Sequence, residues 1–215
     1  MASAYELNIN PEDDADWITN QDKKRVAIAK QVNTGVDIST VNPANVAWQV
    51  FAPLNENKIT WEASYSVYAS TTPVAEGAHI SQSSVLHTPP PPAEDGVVYE
   101  FNGSIFKKSD SKAEKGSYWI KNTSKQLFQF GITQEASSDK SSIKPGYSPL
   151  IIVPGGGSEI LQFTPHETVY VYLTGHKESA TVSVNAWGPV CKVQLSAGTP
   201  VTLKFIREES RFEQV

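Results

Sequence analysis

Cysteine is almost missing from this chain of 215 residues: Cys191 stands alone, so no disulfide can close within it. Stability must come from a buried core, and a lone thiol fits a reducing compartment. Long apolar runs are missing too. No uninterrupted stretch approaches the roughly 20 residues of a membrane helix. The opening MASAYELNINPEDD lacks the basic and apolar regions of a secretion signal. The expectation is a cytoplasmic protein with no membrane span. Nor is there an excess of positive charge. Eighteen basic against twenty-three acidic residues leave a net charge of −5, which argues against a nucleic-acid partner. Lys23, Lys24 and Arg25, just after Asp13, Asp14 and Asp16, read as an ion-paired surface.

Catalytic signatures are equally scarce. The Gly155–Gly157 run lacks the Gly-Lys-Ser/Thr ending and the following helix of a phosphate loop, so it reads as a hairpin turn. No Gly-x-Ser-x-Gly pentapeptide occurs. His79, His87, His166 and His176 form no His-x-His or His-x-x-x-His pair, so no metal site and no cofactor are expected. Cys191, at the start of an apolar strand, reads as a small buried hydrophobe. Asn102-Gly-Ser and Asn122-Thr-Ser match the glycosylation sequon, and without a secretion signal they read as chance matches.

What the chain does have is alternation. In ITWEASYSVYAS (59–70), Ile59, Trp61, Ala63, Tyr65, Val67 and Ala69 fall on one side of an extended chain. Strict alternation rich in β-branched and aromatic residues predicts one long, half-buried central strand. VAIAKQV (26–32) sets Val26, Ile28 and Lys30 against Ala27, Ala29 and Gln31, and VAWQVF (46–51) follows as a second strand. The turn residues 53–57 predict that 46–51 and 58–69 form a hairpin. Further strands are expected at 97–106 (broken at Asn102-Gly103), 117–122 paired with 126–135, 150–153, 159–165, 167–175, 180–187, 190–195 and 200–206. Residues 107–115 read as a charged turn, 1–22 as an irregular acidic lead-in, and 70–96, with Pro89 to Pro92, as a long Pro-rich loop. No segment joins helical periodicity to good caps. The fold class is therefore all-β: one domain spanning 1–215, a two-sheet antiparallel β-sandwich of jelly-roll or Greek-key type with about ten to eleven strands.

KRVAIAKQVN (24–33), Trp48 and ITWEASYSVYAS together resemble a pattern in an uncharacterised group of small fungal proteins. The resemblance covers about the first third of the chain. It implies a fungal origin and carries no activity, cofactor or site residue with it.

Aromatic residues are the remaining functional signal. In ETVYVYL, Val169, Val171 and Leu173 share one face, which puts Tyr170 and Tyr172 on the other. Tyr68 lies opposite Trp61, and Tyr118 opposite Trp119. Rings left over on a sheet face suit sugars and flat apolar ligands. They also serve as ordinary packing where loops cover that face. The ligand-binding candidates are thus Tyr68, Tyr118, Tyr170, Tyr172, Trp61 and Trp119. Glu62, His166 and Glu167 are the polar groups placed to move protons beside them.

Two functions follow as expectations. One is a lectin-like module that binds a carbohydrate or small hydrophobic ligand. The other is a cofactor-independent cyclase, isomerase or lyase acting on a hydrophobic metabolite, with the Pro-rich loop as lid. A self-assembling or toxin-like oligomer is a third possibility.

Overall fold

A computed structural model describes residues 3–35, 45–86, 92–138, 143, 146–184 and 188–215. Among them the strands, in chain order, are β1 (Ala4–Asn10), β2 (Arg25–Thr34), β3 (Val46–Ala47), β4 (Gln49–Phe51), β5 (Asn57–Glu62) and β6 (Tyr65–Ser70). Then come β7 (Ser84–Val85), β8 (Val97–Phe101), β9 (Phe106–Lys112), β10 (Tyr118–Asn122), β11 (Phe128–Ser138) and β12 (Gly146–Pro149). The last third holds β13 (Val153–Gly155), β14 (Ile160–Thr174), β15 (Thr181–Val182), β16 (Cys191–Gln194), β17 (Val201–Ile206) and β18 (Arg211–Gln214).

Two main sheets pack as a sandwich, largely antiparallel. One runs β18-β17-β1-β5-β11-β6-β7, with β12 and β13 also on β11. The other runs β4-β2-β14-β10-β8-β9, with β16 also on β14. β1 pairs with β17, and β8 with β10, in parallel. The alternation read from the sequence sets the inner faces. Leu7, Ile59, Val67 and Ile132 from the first sheet meet Ile28, Ile120, Phe163 and Val171 from the second in one buried cluster. Removing such side chains from water, at about 25 cal/mol per Å², is what holds the layers together.

The outer faces are covered as well. Tyr68 packs with Val46, Ile80, Ile152, Ala180 and Val182 on the far side of the first sheet. Tyr172 packs with Ala27, Ala29, Ala47 and Val50 on the far side of the second.

The structure departs from the sequence reading at several elements. The 59–70 stretch is two strands rather than one: both run antiparallel along β11 in the same direction, but the register shifts by two residues at Ala63-Ser64, where Ser64 N donates to Glu62 O at 2.7 Å. β4 and β5 are no hairpin: β4 pairs with β2, and β5 with β1. β10 and β11 lie in different sheets, as do β13 and β14, so 123–127 and the glycine run at 155–157 are crossovers rather than hairpin turns. The expected strands 159–165 and 167–175 are the single strand β14, whose register against β2 shifts between Pro165 and Val169. Residues 107–112 belong to β9, an edge strand antiparallel to β8, not to a turn. The lead-in is ordered: β1 sits between β17 and β5. The break expected at Asn102-Gly103 is there, as a hairpin joining β8 to β9. His87, Pro89 to Pro91 and Trp187 lie outside the described residues.

Candidate functional site

The most unusual local chemistry is at Lys30. Its position in the β2 alternation points it inward with Val26 and Ile28, and it is fully buried. An uncompensated ammonium there would cost several kcal/mol, so each of its hydrogens needs an acceptor. All three have one. Nζ lies 2.7 Å from Glu167 Oε2 and donates to Gln134 Oε1 at 2.7 Å and to Tyr65 Oη at 3.2 Å. The rings of Trp48, Trp61 and Tyr65 surround it, with centroids at 5.8, 5.3 and 5.2 Å. Aromatic faces attract a cation most strongly where water is excluded.

Glu167 is presented by the irregular stretch of β14. Its carboxylate also accepts from Trp61 Nε1 at 3.1 Å and from Tyr65 Oη at 2.6 Å. Gln134 Nε2 donates to Glu62 O at 2.6 Å, and Trp48 Nε1 donates to Gln134 O at 3.1 Å. The network therefore ties β2 and β14 of one sheet to β5, β6 and β11 of the other. Burial lowers the Lys30 ammonium pKa to about 8, although Glu167 pulls the other way. Burial, reinforced by Glu167, pushes the Tyr65 hydroxyl well above its ordinary range. With every ammonium hydrogen committed and no exposed surface, Lys30 is built as a framework clamp rather than as a nucleophile.

The sequence candidates scatter. Tyr68 is fully buried and donates to Ile151 O at 2.6 Å, and Tyr172 is buried. Tyr118 is buried with its ring 5.6 Å from Tyr65, and burial raises its hydroxyl pKa. These three stand on no exposed face: residues of the paired strands β3 and β15 and of β4, with the segments beside them, cover Tyr68 and Tyr172, and Tyr118 lies in the inter-sheet core. Trp61 is 4% exposed and belongs to the lysine box. Trp119 and Tyr170 are half-buried: Trp119 Nε1 donates to Ser117 Oγ, and Tyr170 Oη to Gln31 Oε1. Neither lines the clefts described next. His166 precedes Glu167, and its Nε2 is buried without a hydrogen-bond partner. Cys191 is half-buried against the core, and burial raises its thiol pKa. No group of three or more His, Cys, Asp or Glu among the described residues could hold a metal ion.

Two surface clefts carry the polar groups that the ring argument missed. The smaller, about 460 Å³, is lined by Thr60, Trp61, Glu62, Ser64, Glu135 and Tyr147, among others. The larger, about 810 Å³, lies along the edge strand β4. Its walls include Arg25, Gln49, His79, Gln82, Tyr147, Lys177, Glu178 and Ser179. Tyr147 lines both. Gln82 Nε2 donates to the Tyr147 carbonyl at 3.1 Å, and Ser179 Oγ accepts from Val50 N at 2.9 Å, which fixes the wall on both sides. Of these residues, sequence reasoning singled out only Glu62 and Trp61 as site candidates. The rest converge from strands and connections far apart in sequence, and nothing local marks them.

Fold and clefts together define a β-sandwich with a recessed groove at its sheet edge, lined by these polar groups together with Val50, Phe51, Ile80 and Ala180. No family model, curated protein or solved structure matches the chain.

Proposed function

We propose that this chain is a lectin-like β-sandwich that binds a carbohydrate in the groove along β4, and that Tyr147 is the ring the sugar packs on. The observation that supports this reading is the groove's lining. One half-buried tyrosine joins two clefts whose walls carry amides, carboxylates, hydroxyls and the Arg25 guanidinium, which has no ion pair among the described residues. A sugar offers an apolar face to a ring and a fan of hydroxyls to such groups, whereas an apolar metabolite would leave them unsatisfied. The same groove is lined by Val50, Phe51, Ile80 and Ala180, which would pack on the apolar face of a sugar, while a purely hydrophobic ligand would use only that part of the lining.

The test is a glycan array probed with the labelled chain, followed by thermal shift and titration with any hit. Tyr147→Ala and Arg25→Ala should each weaken binding about tenfold, the loss expected from one stacking or charged contact. An array without hits, or variants that bind as tightly as the parent, would count decisively against the groove.

The enzyme reading draws on one observation: Glu62 and Glu135 line the same cleft beside Tyr147. Turnover of an array hit, abolished by Glu62→Gln with binding retained, would move the assignment to it.

A further inference from the structure

Three connections meet at one end of the sandwich, and each carries a large aliphatic side chain pointing into solvent. Ile105, in the β8–β9 hairpin, is 52% exposed; Leu127, in the β10–β11 crossover, 66%; and Ile160, where the β13–β14 crossover enters β14, 50%. Their proximity follows from the pairing. β8 and β10 are parallel with Phe101 opposite Asn122, so the hairpin and the first crossover leave the sheet side by side. The glycine run then packs on that crossover, where a Cβ on Gly157 would lie 3.0 Å from Ser124 O. Leu127 and Ile160 line a single shallow cleft of about 480 Å³.

This end is rigid. Asn122 is buried, and its Nδ2 donates to Gln126 O and Gly155 O while its Oδ1 accepts from Ser124 N. Its backbone N–H donates to Glu159 O, and its carbonyl accepts from Ser158 N. Asn102 Oδ1 accepts from Ser104 N and Ile105 N, which fixes the hairpin tip. Singly exposed aliphatic side chains are ordinary; here Leu127 and Ile160 share one cleft and Ile105 stands on the adjoining hairpin, and it is such a grouping that can be presented to a partner.

We infer that this end of the molecule docks on an anionic lipid surface, with Ile105, Leu127 and Ile160 inserted among the acyl chains and the flanking lysines on the headgroups. Charge supports the lipid. Lys107 and Lys125 are exposed and carry no ion pair among the described residues. Lys121 pairs with Glu100, which lies opposite Lys107, and the carboxylate of Glu159 in the same cleft accepts from Gly156 N at 2.6 Å, so the three lysines outnumber the two carboxylates by one. A local positive charge on a chain of net charge −5 suits a negatively charged leaflet. Geometry disfavours a second copy of the chain. Three separated loop tips present far less than the roughly 1,200 Å² that a specific protein interface buries. Docking of this kind requires no membrane-spanning element, in keeping with the absence of a long apolar helix among the described residues.

The test is flotation of the full chain with vesicles of phosphatidylcholine alone or mixed with phosphatidylserine. The parent should float with the mixed vesicles and far less with the neutral ones. Ile105→Ser, Leu127→Ser and Ile160→Ser should each lower partitioning on the order of tenfold, the worth of one buried aliphatic side chain. Lys107→Glu with Lys125→Glu should abolish the preference for phosphatidylserine. Thermal melting would show the serine variants folded, since these side chains lie outside the core. A parent that floats with neither vesicle, or a triple serine variant that floats as well as the parent, overturns the proposal. So do equal partitioning onto both vesicles and a sedimentation change in the serine variants that points to lost self-association.

Discussion

Lys30 shows how a single residue can be legible in position and illegible in role. Its inward phase is visible, since it follows Val26 and Ile28 at two-residue spacing. The carboxylate that neutralises it lies 137 positions away across a bulge, which no local pattern announces. The pair is asymmetric in a way that mutation can expose. Glu167→Ala leaves a fully buried ammonium without its counter-charge and should cost about 3 kcal/mol, the low end for a broken buried pair because Glu167 keeps some water contact. Lys30→Met fills the same volume with an apolar chain, and Glu167 keeps its Trp61 and Tyr65 donors, so the loss should stay within about 1 kcal/mol. Urea unfolding at pH 7 ranks the two, and a reversed order would disprove the clamp. The pH dependence follows from the same burial. Unfolded, Lys30 holds its proton to its ordinary pKa of 10.5; folded, it releases it near 8. Between those values the unfolded chain binds more protons, so this group makes stability rise with pH. Above pH 10 the tyrosines reverse the trend. Tyr65, Tyr68 and Tyr118 are raised, and Tyr172 is raised to about 12, all chiefly by burial. A tyrosine raised in the fold contributes stability below pH 10 that is lost as the unfolded chain ionises. The urea midpoint should therefore climb from pH 8 to about 10 and then fall, and in Lys30→Met the climb should vanish.

At the scale of elements, composition marked where strands lie but not where they break. ITWEASYSVYAS contains no glycine or proline, yet it bulges at Ala63-Ser64: both halves run along β11, but β5 also takes up β1 and β6 also takes up β7, and the register against β11 shifts by two residues between them. That demand is tertiary, and propensity cannot express it. Pro165 was a local hint, since a proline inside a ladder marks an edge or an irregularity, and the β14 register does shift just after it. Gly131 is the opposite case, an inconspicuous glycine inside β11 that the packing requires. A Cβ there would lie 1.9 Å from Ile151 O and 2.7 Å from Tyr68 Cε1. Gly131→Ala must push apart the strand and the segment covering it, at a cost of about 3 kcal/mol. Gly175, where a Cβ would meet nothing within 4 Å, should accept alanine within about 0.5 kcal/mol. Paired thermal melts test the contrast, and a Gly131→Ala protein as stable as Gly175→Ala would show that β11 can move away from its cover.

For the molecule as a whole, fold class was legible and topology was not. Alternation is a local property, so two layers with aliphatic inner faces could be read from the chain alone. Which strand lies beside which depends on pairs far apart in sequence, such as Leu7 opposite Val201. The same distance hid the groove, whose walls come from strands β4 and β12 and from the segments near residues 80 and 178. The N-terminal segment makes the point most sharply, because its polar, acidic composition suggested an irregular lead-in. Instead β1 is an interior strand, with Leu7 and Ile9 fully buried and β17 and β5 on either side. Without it, the β17–β18 hairpin has no ladder to join, and Leu203 and Phe205 lose the neighbour that completes their side of the core. Joining the two ends of the chain also makes closure of the sheet a non-local step, which slows folding. Deleting residues 1–10 should therefore abolish cooperative folding rather than trim a tail, and Leu7→Asp, which places a charge in the core, should have nearly the same effect. Soluble yield and near-ultraviolet circular dichroism on heating read the outcome. A truncated chain that still melts sharply, within a few degrees of the full-length protein, would mean that β17 and β18 close onto β5 without β1 and that the first strand is not structural.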